Sequence, residues 1–219
     1  MERGPSAVRQ SDDLLAAAAG VGSIGRAAGA LARLSGRAER PAEDSLERVF
    51  RGWQLRPREK GGPCVGPTKR GKGTKWRVLA DGAGTPLGAY LDAASPSEIR
   101  LLEATLDSVA VRRTHHPGRP RKRPDRLIAD RGYDSNAVRR MLVRRGIEPI
   151  IPARANNMVA THQDGRRLRR YQRRWLIERT IGWIGNFRRL TVRYDRLMET
   201  YGGFFHLACA LITLRKVLK

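Results

Sequence analysis

The chain has 219 residues, enough for one domain or one domain with an appendage. Its 44 Lys and Arg against 21 Asp and Glu give a formal net charge of +23, which repels itself unless a polyanion is near. That points to nucleic acid, whose phosphates give sequence-independent, salt-sensitive affinity. Cys64 and Cys209 stand in no metal-ligand spacing, so a disulfide framework or a zinc site is not expected. No apolar run is long enough to span a membrane, and no basic amphipathic anchor stands out. The first residues lack the charged-then-apolar pattern of a signal peptide. A cytoplasmic protein that makes no membrane contact is the default expectation.

Residues 1–50 do not resemble the rest. The stretch 14–34 is rich in Ala, and its four glycines lower helix propensity. No amphipathic stripe survives, so a poorly ordered region is expected. Residues 58–75, REKGGPCVGPTKRGKGTK, read as a flexible basic loop. Its glycines let backbone approach phosphate, and Lys69, Arg70, Lys72 and Lys75 supply charge. The P-loop pattern is not matched.

Residues 76–80 read as a strand, 81–84 as a turn and 86–92 as the returning strand of a hairpin. A helix start follows at 95–98, with Ile99, Leu102, Leu106 and Val109 as its buried face. Residues 112–124 form a basic, proline-rich loop. Its adjacent His115 and His116 point different ways in an extended chain, so a solvated loop near phosphate is a simpler reading than a metal pair. Residues 126–130 are a short apolar strand ending in Asp130. A turn leads into a helix over 136–145, which Gly146 is placed to stop, and 148–152 is another strand. Strand, helix and strand at this spacing predict a crossover unit. Residues 153–170 read as a second loop.

Residues 171–194, YQRRWLIERTIGWIGNFRRLTVRY, read as a helix with apolar positions at Trp175, Ile177, Ile181, Ile184 and Phe187. Tyr171, Arg174 and Glu178, three and then four residues apart, share one face. A last helix over 204–218 has Leu207, Leu211, Leu214 and Leu218 available to pack on the sheet.

Asp130 ends a buried strand, where open α/β sheets bind ligands. If Glu178 projects across the same edge, the two carboxylates offer hard oxygen ligands to a pair of Mg²⁺ ions for phosphoryl transfer. The bland alternatives are that Asp130 or Asp134 caps the following turn and that Glu178 pairs with Arg174. Spacing alone leaves both open.

LIADRGYDS, then YxxRxxxE, then WxxxFRRL and RY resemble bacterial insertion-sequence transposases of the insertion sequence four and five families. CVGPTKRGKGTKWRVLADGAGTPLG is similar to their second and third core strands. The likeness covers roughly residues 59–219. It implies an α/β, RNase H-like catalytic domain with an Asp–Asp–Glu triad and two Mg²⁺ (or Mn²⁺) ions. Asp130 then corresponds to the second Asp and Glu178 to the Glu, both as catalytic metal ligands. Tyr171 and Arg174 match the preceding signature, with Arg174 orienting Glu178 or contacting DNA. Arg188 and Arg189 join the basic residues that follow phosphates. The lysine expected seven residues after the Glu is Gly185.

The first Asp has no match. The family context, like VDGS shortly before a KGG, falls here on Phe50-Arg51-Gly52-Trp53-Gln54-Leu55, with Gly52 at the acid's position. Neither Glu59 nor Asp81 fits the pattern. The genetic code suggests a cause. Residues 50–61 can be written with codons that, read one base later, give Phe-Val-Asp-Gly-Ser-Phe-Ala-Pro-Ala-Lys-Lys-Gly. Trp53 followed by Gln54 forces a Gly in the shifted frame, and Gly52 gives Asp when its codon ends in A. Residues 1–58 are therefore expected to be an irregular, truncated or out-of-frame segment, and 59–219 a partial catalytic domain lacking its first strand.

The expected function is that of a DNA transposase acting on element ends and target DNA, with this copy catalytically impaired; a homo-oligomer is compatible. Two alternatives are a non-catalytic DNA-binding protein derived from a transposase and a basic nuclease of another fold.

Overall fold

The longest strand begins inside the stretch expected to be a loop. β3, Gly71–Ala80, starts five residues earlier than its apolar run. Its first residues are held by β2, Gly66–Thr68, and the rest by β4, Pro86–Ala93, both antiparallel. Two partners supply ladder hydrogen bonds that a glycine-rich sequence alone would not secure. The computed structural model describes residues 46–219, except 59, 70, 97–98, 112–118, 155–168 and 219. Most of the expected irregular segment, together with Glu59, Arg70, His115 and His116, lies outside the described residues.

The expected loss of the first strand is corrected by β1, Val49–Pro57. It lies in the middle of the sheet, antiparallel to β3 from Phe50↔Ala80 to Pro57↔Gly73. On its other side it runs parallel to β5, Arg126–Ile128, which is parallel in turn to β6, Glu148–Ile150. The sheet order is β2-β3-β1-β5-β6, with β4 on β3. Residues 49–57 are thus regular: β3 pairs with them from Phe50 to Pro57 and β5 joins at Val49 and Phe50, satisfying their backbone whatever their side chains.

Helices cover both faces. α1, Leu102–Asp107, and α2, Asn136–Arg144, pack Leu102, Leu106 and Leu142 with Val49, Leu79 and Leu127. α2 is the expected link between β5 and β6, capped by Ser135 Oγ, which accepts from Val138 N at 3.2 Å. Gly146 ends it at φ 68°, a left-handed position. The opposite face carries α3, Trp175–Gly185, and α5, Met198–Val217. There Ile177, Ile181, Ile184, Tyr201 and Phe205 bury Phe50, Trp76, Val78 and Ile128. Trp76 Nε1 donates to Tyr201 Oη (3.0 Å), which donates to Leu190 O (3.1 Å).

Three helix expectations change. The 171–194 stretch is not continuous: a 3₁₀ segment, Arg169–Arg174, precedes α3, and a break at Asn186 and Phe187 precedes the short α4, Arg188–Thr191. Gly and Asn are weak helix formers at that break. Trp175 is exposed and Leu176 and Thr180 are buried in its place. α5 starts at Met198 and buries Tyr201, Phe205, Ala208, Cys209 and Ile212, leaving Leu207, Leu211 and Leu218 exposed. A helix apolar nearly all round offers no stripe by which the sequence could choose its face. Ile99 is likewise exposed, whereas Leu102, Leu106 and Val109 are buried as expected.

Candidate active site

Asp130 follows β5 directly and has two tasks. Its Oδ1 accepts from Gly132 N, capping the 3₁₀ turn Arg131–Tyr133. Its Oδ2 faces Arg174 Nη1 at 3.2 Å. Arg174 Nη2 meets Glu178 Oε1 at 2.9 Å. One guanidinium therefore bridges the end of a strand and the first turn of α3, and brings both sequence-predicted carboxylates to one place. Arg174 Nη1 also donates to Tyr171 Oη at 3.2 Å. Burial lowers the Arg174 pKa, but the hydrogen bond to Glu178 and the charges of Tyr171 and Asp130 outweigh it and hold the guanidinium above its usual range. Both carboxylates remain solvent-accessible.

The two bland readings both hold in the structure. Asp130 does cap its turn and Glu178 does pair with Arg174, yet the pairings converge. Reach from Arg174 to Asp130 is what spacing could not reveal, because it needs β5 and α3 to meet. Asp134 is a purely internal group: its Oδ1 accepts from Arg139 Nε and Nη2 (2.9 and 2.8 Å) and its Oδ2 from Arg154 N (2.6 Å). Asp81 Oδ1 accepts from Ala83 N and Thr85 N within its own turn.

Gly52, the position at which the resemblance led to the expectation of a first acid, lies in β1. The β1–β5 register pairs Val49 with Leu127 and Phe50 with Ile128, so Gly52 and Asp130 each lie two residues beyond the last paired position of their strands. Side chains alternate along a strand, so position 52 faces α3 as Phe50 does. A Cβ there would lie 2.7 Å from Ile177 Cγ1 and 2.7 Å from Ile181 Cδ1, next to Glu178 in sequence. Among the described residues, no three His, Cys, Asp or Glu side chains gather into a metal site. Asp130 and Glu178 are the right kind of donor for a hard divalent cation, but they are two, with an arginine between them.

The other candidate residues lie on separate surfaces. Lys69 and Lys72 are exposed on the β2–β3 hairpin, and Lys75 Nζ sits over the Trp53 ring at 4.4 Å. Arg188 is exposed, while Arg189 pairs with Asp195 at 2.7 Å and stacks over Phe204 at 5.0 Å. Gly185 has Arg56 Nη2 lying 2.6 Å from where a Cβ would be. Two arrangements escaped the sequence reading. Arg179 lies over both Trp175 and Trp183 (4.7 and 4.6 Å) on the outer side of α3. Arg193, 1% exposed, donates to Pro63 O (2.8 Å) and Thr74 Oγ1 (2.7 Å), tying the segment after α4 to the β2–β3 region. The repeated i, i+4 spacing of Trp175, Arg179 and Trp183 could have revealed the first.

The family model for the Transposase DDE domain matches residues 51–213. A Burkholderia cepacia protein described as "Putative transposase for insertion sequence element IS402" is 38% identical over 216 residues, covering 95% of this chain and 98% of that one. No helix among the described residues is long and apolar enough to cross a membrane. The chain belongs to the DDE transposases of insertion sequences, a family that carries out phosphoryl transfer on DNA.

Proposed function

We propose that the ancestral activity of this site is metal-dependent cleavage and transfer of DNA strands at insertion-sequence ends, and that this copy is catalytically impaired. The observation that carries it is the single arginine joining Asp130 at the end of β5 to Glu178 on α3. An α/β sheet with β1 antiparallel to β3 and parallel to β5, helices on both faces and the carboxylate at the strand end supports an RNase H-like core.

Asp130 and Glu178 are the residues that would hold Mg²⁺ or Mn²⁺. A divalent cation in such a site activates an oxygen nucleophile and offsets charge on the leaving oxygen. The donors fit in type and fall short in number, so no reaction step is derived through the cation. The chain's own contributions are positional. Gly132 N–H fixes one oxygen of Asp130 and leaves the other directed at the site. Arg174 aims both carboxylates at one point and offers a cation to a phosphate that displaces either of them. β1 continues five residues past Gly52, about 17 Å of strand, and with β3 and β2 forms an arm bearing Lys69 and Lys72. Such an arm suits a DNA backbone running past the carboxylates.

The test pairs binding with cleavage. The purified chain should shift double-stranded element ends in a gel, with affinity falling steeply between 50 and 200 mM salt, on the order of 10³-fold or more for six or more phosphate contacts. With Mg²⁺ or Mn²⁺ it should give negligible cleavage. Robust cleavage would overturn the impairment, and absence of any salt-sensitive binding would overturn the DNA assignment. The missing third acid favours one second reading, a DNA-binding protein that occupies element ends without cutting them. Interference with an intact transposase at those ends would identify it.

A further inference from the structure

We infer that the outer face of α5 is a self-association surface, on which two copies of this chain pair antiparallel about a two-fold axis. The inference stands whether or not this copy cuts DNA, because α5 carries none of Asp130, Arg174 and Glu178.

α5 is the exception in a chain of net charge +23. Residues 200–214 are its longest stretch without Asp, Glu, Lys or Arg. One side of the helix spends this apolarity inward, burying Tyr201, Phe205, Ala208, Cys209 and Ile212. The other side leaves Phe204, Leu207, Leu211 and Leu218 exposed, Leu207 at 56%, with Leu214 half-buried in the same row. These five positions are spaced three, four, three and four apart. That is the seam of a helix that packs lengthwise on another helix, knobs into holes. A helix that only covers a sheet needs one apolar stripe, not two. The seam runs about 21 Å. Gly203 flanks it, and nothing lies within 4 Å of where a Cβ would stand there, so a second backbone can come close. At the seam's start Arg189 stacks over Phe204 at 5.0 Å and pairs with Asp195 at 2.7 Å, a polar rim beside an apolar strip.

The chemistry of the face selects its occupant. Nucleic acid and anionic membrane both require cations, and from Thr200 to Leu214 there are none. A seam of heptad spacing complements itself. In an antiparallel pair, Phe204 of one copy faces Leu214 of the other, and Leu207 faces Leu211, so large apolar side chains meet in every layer. The ends of the helix set the direction. Its first turn is acidic, with Glu199, and its last turn is basic, with Arg215 and Lys216. A parallel pair would bring two basic ends together. The antiparallel pair sets each basic end near an acidic one, opposes the helix dipoles favourably, and is the isologous arrangement that closes as a dimer.

The test is the mass of the full chain in solution, nuclease-treated and in about 0.5 M salt to strip nucleic acid. Sedimentation from about 1 to 100 µM covers the range of a weak interface. A dimer of the 24.5 kDa chain, dissociating on dilution, is expected. Leu207→Glu with Leu211→Glu should weaken it about a hundredfold or more by burying four carboxylates per pair. Both positions are exposed in the single chain, so cooperative melting should survive. A monomer at every concentration overturns the inference, whether the face is bare or covered by another part of the same chain. A dimer that the two glutamates leave intact overturns it as well. Direction is read with a short bismaleimide in a Cys64→Ser background, Cys209 being fully buried. Thr200→Cys mixed with Leu218→Cys should cross-link, and neither should do so alone, since like positions lie about 27 Å apart in the antiparallel pair. Any other pattern of cross-links overturns the antiparallel arrangement.

Discussion

β1 and β5 are adjacent parallel strands, and they treat charge in opposite ways. In β5, Leu127 and Ile128 are fully buried, and Arg126 at the strand's start meets Glu148 and Glu47, each at 2.8 Å. The strand is followed by Asp130 at the sheet's working edge. In β1, Val49 and Phe50 are buried in the same manner, but the next residue is Arg51, inside, on an aromatic ring. Where β5 leads to a carboxylate, β1 has Gly52. The difference teaches that backbone position and side-chain fitness are separable. β3 along most of its length, and β5 at its start, secure β1 through main-chain hydrogen bonds, while aromatic rings cover the guanidinium groups of Arg51 and Arg56.

The largest expected effect is on the β5 side. Ile128→Ala, in a fully buried position, should destabilise by about 2–5 kcal/mol in denaturant unfolding. Gly52→Asp should cost about 1–3 kcal/mol through overpacking on Ile177 and Ile181, measured as a lower melting temperature.

A pH titration separates these effects from ordinary histidine burial. His206, its Nδ1 buried without a partner, has its pKa lowered by burial. Its neutral form is favoured in the fold, so its contribution is intact above the unfolded value near 6.5 and is lost as pH falls toward the folded value. His206→Gln should flatten that acid limb. The smallest effect is Glu178→Gln, about 0.3–0.5 kcal/mol in denaturant unfolding from one exposed i, i+4 pair with Arg174.

The pattern of legible and illegible features follows the physics. Asp130, Arg174 and Glu178 could be picked out because strand ends and helix faces have fixed spacings. The strand at 49–57 could not, since its sequence has neither alternation nor a uniform apolar run. Leu207, Leu211 and Leu218 were expected inside and lie outside, because α5 is apolar on nearly every side and only contact with the sheet selects a face.

By itself, the sequence determined the family, the basic character, the parallel β5–α2–β6 unit and the two carboxylates, all of which rest on local pattern or on the order of residues along the chain. Tertiary structure alone decided that Arg174 spans both acids, that β1 lies between β3 and β5, and that Gly52 packs under Ile177 and Ile181. These depend on long-range strand pairing, where backbone hydrogen bonding can override the preferences of the side chains it carries.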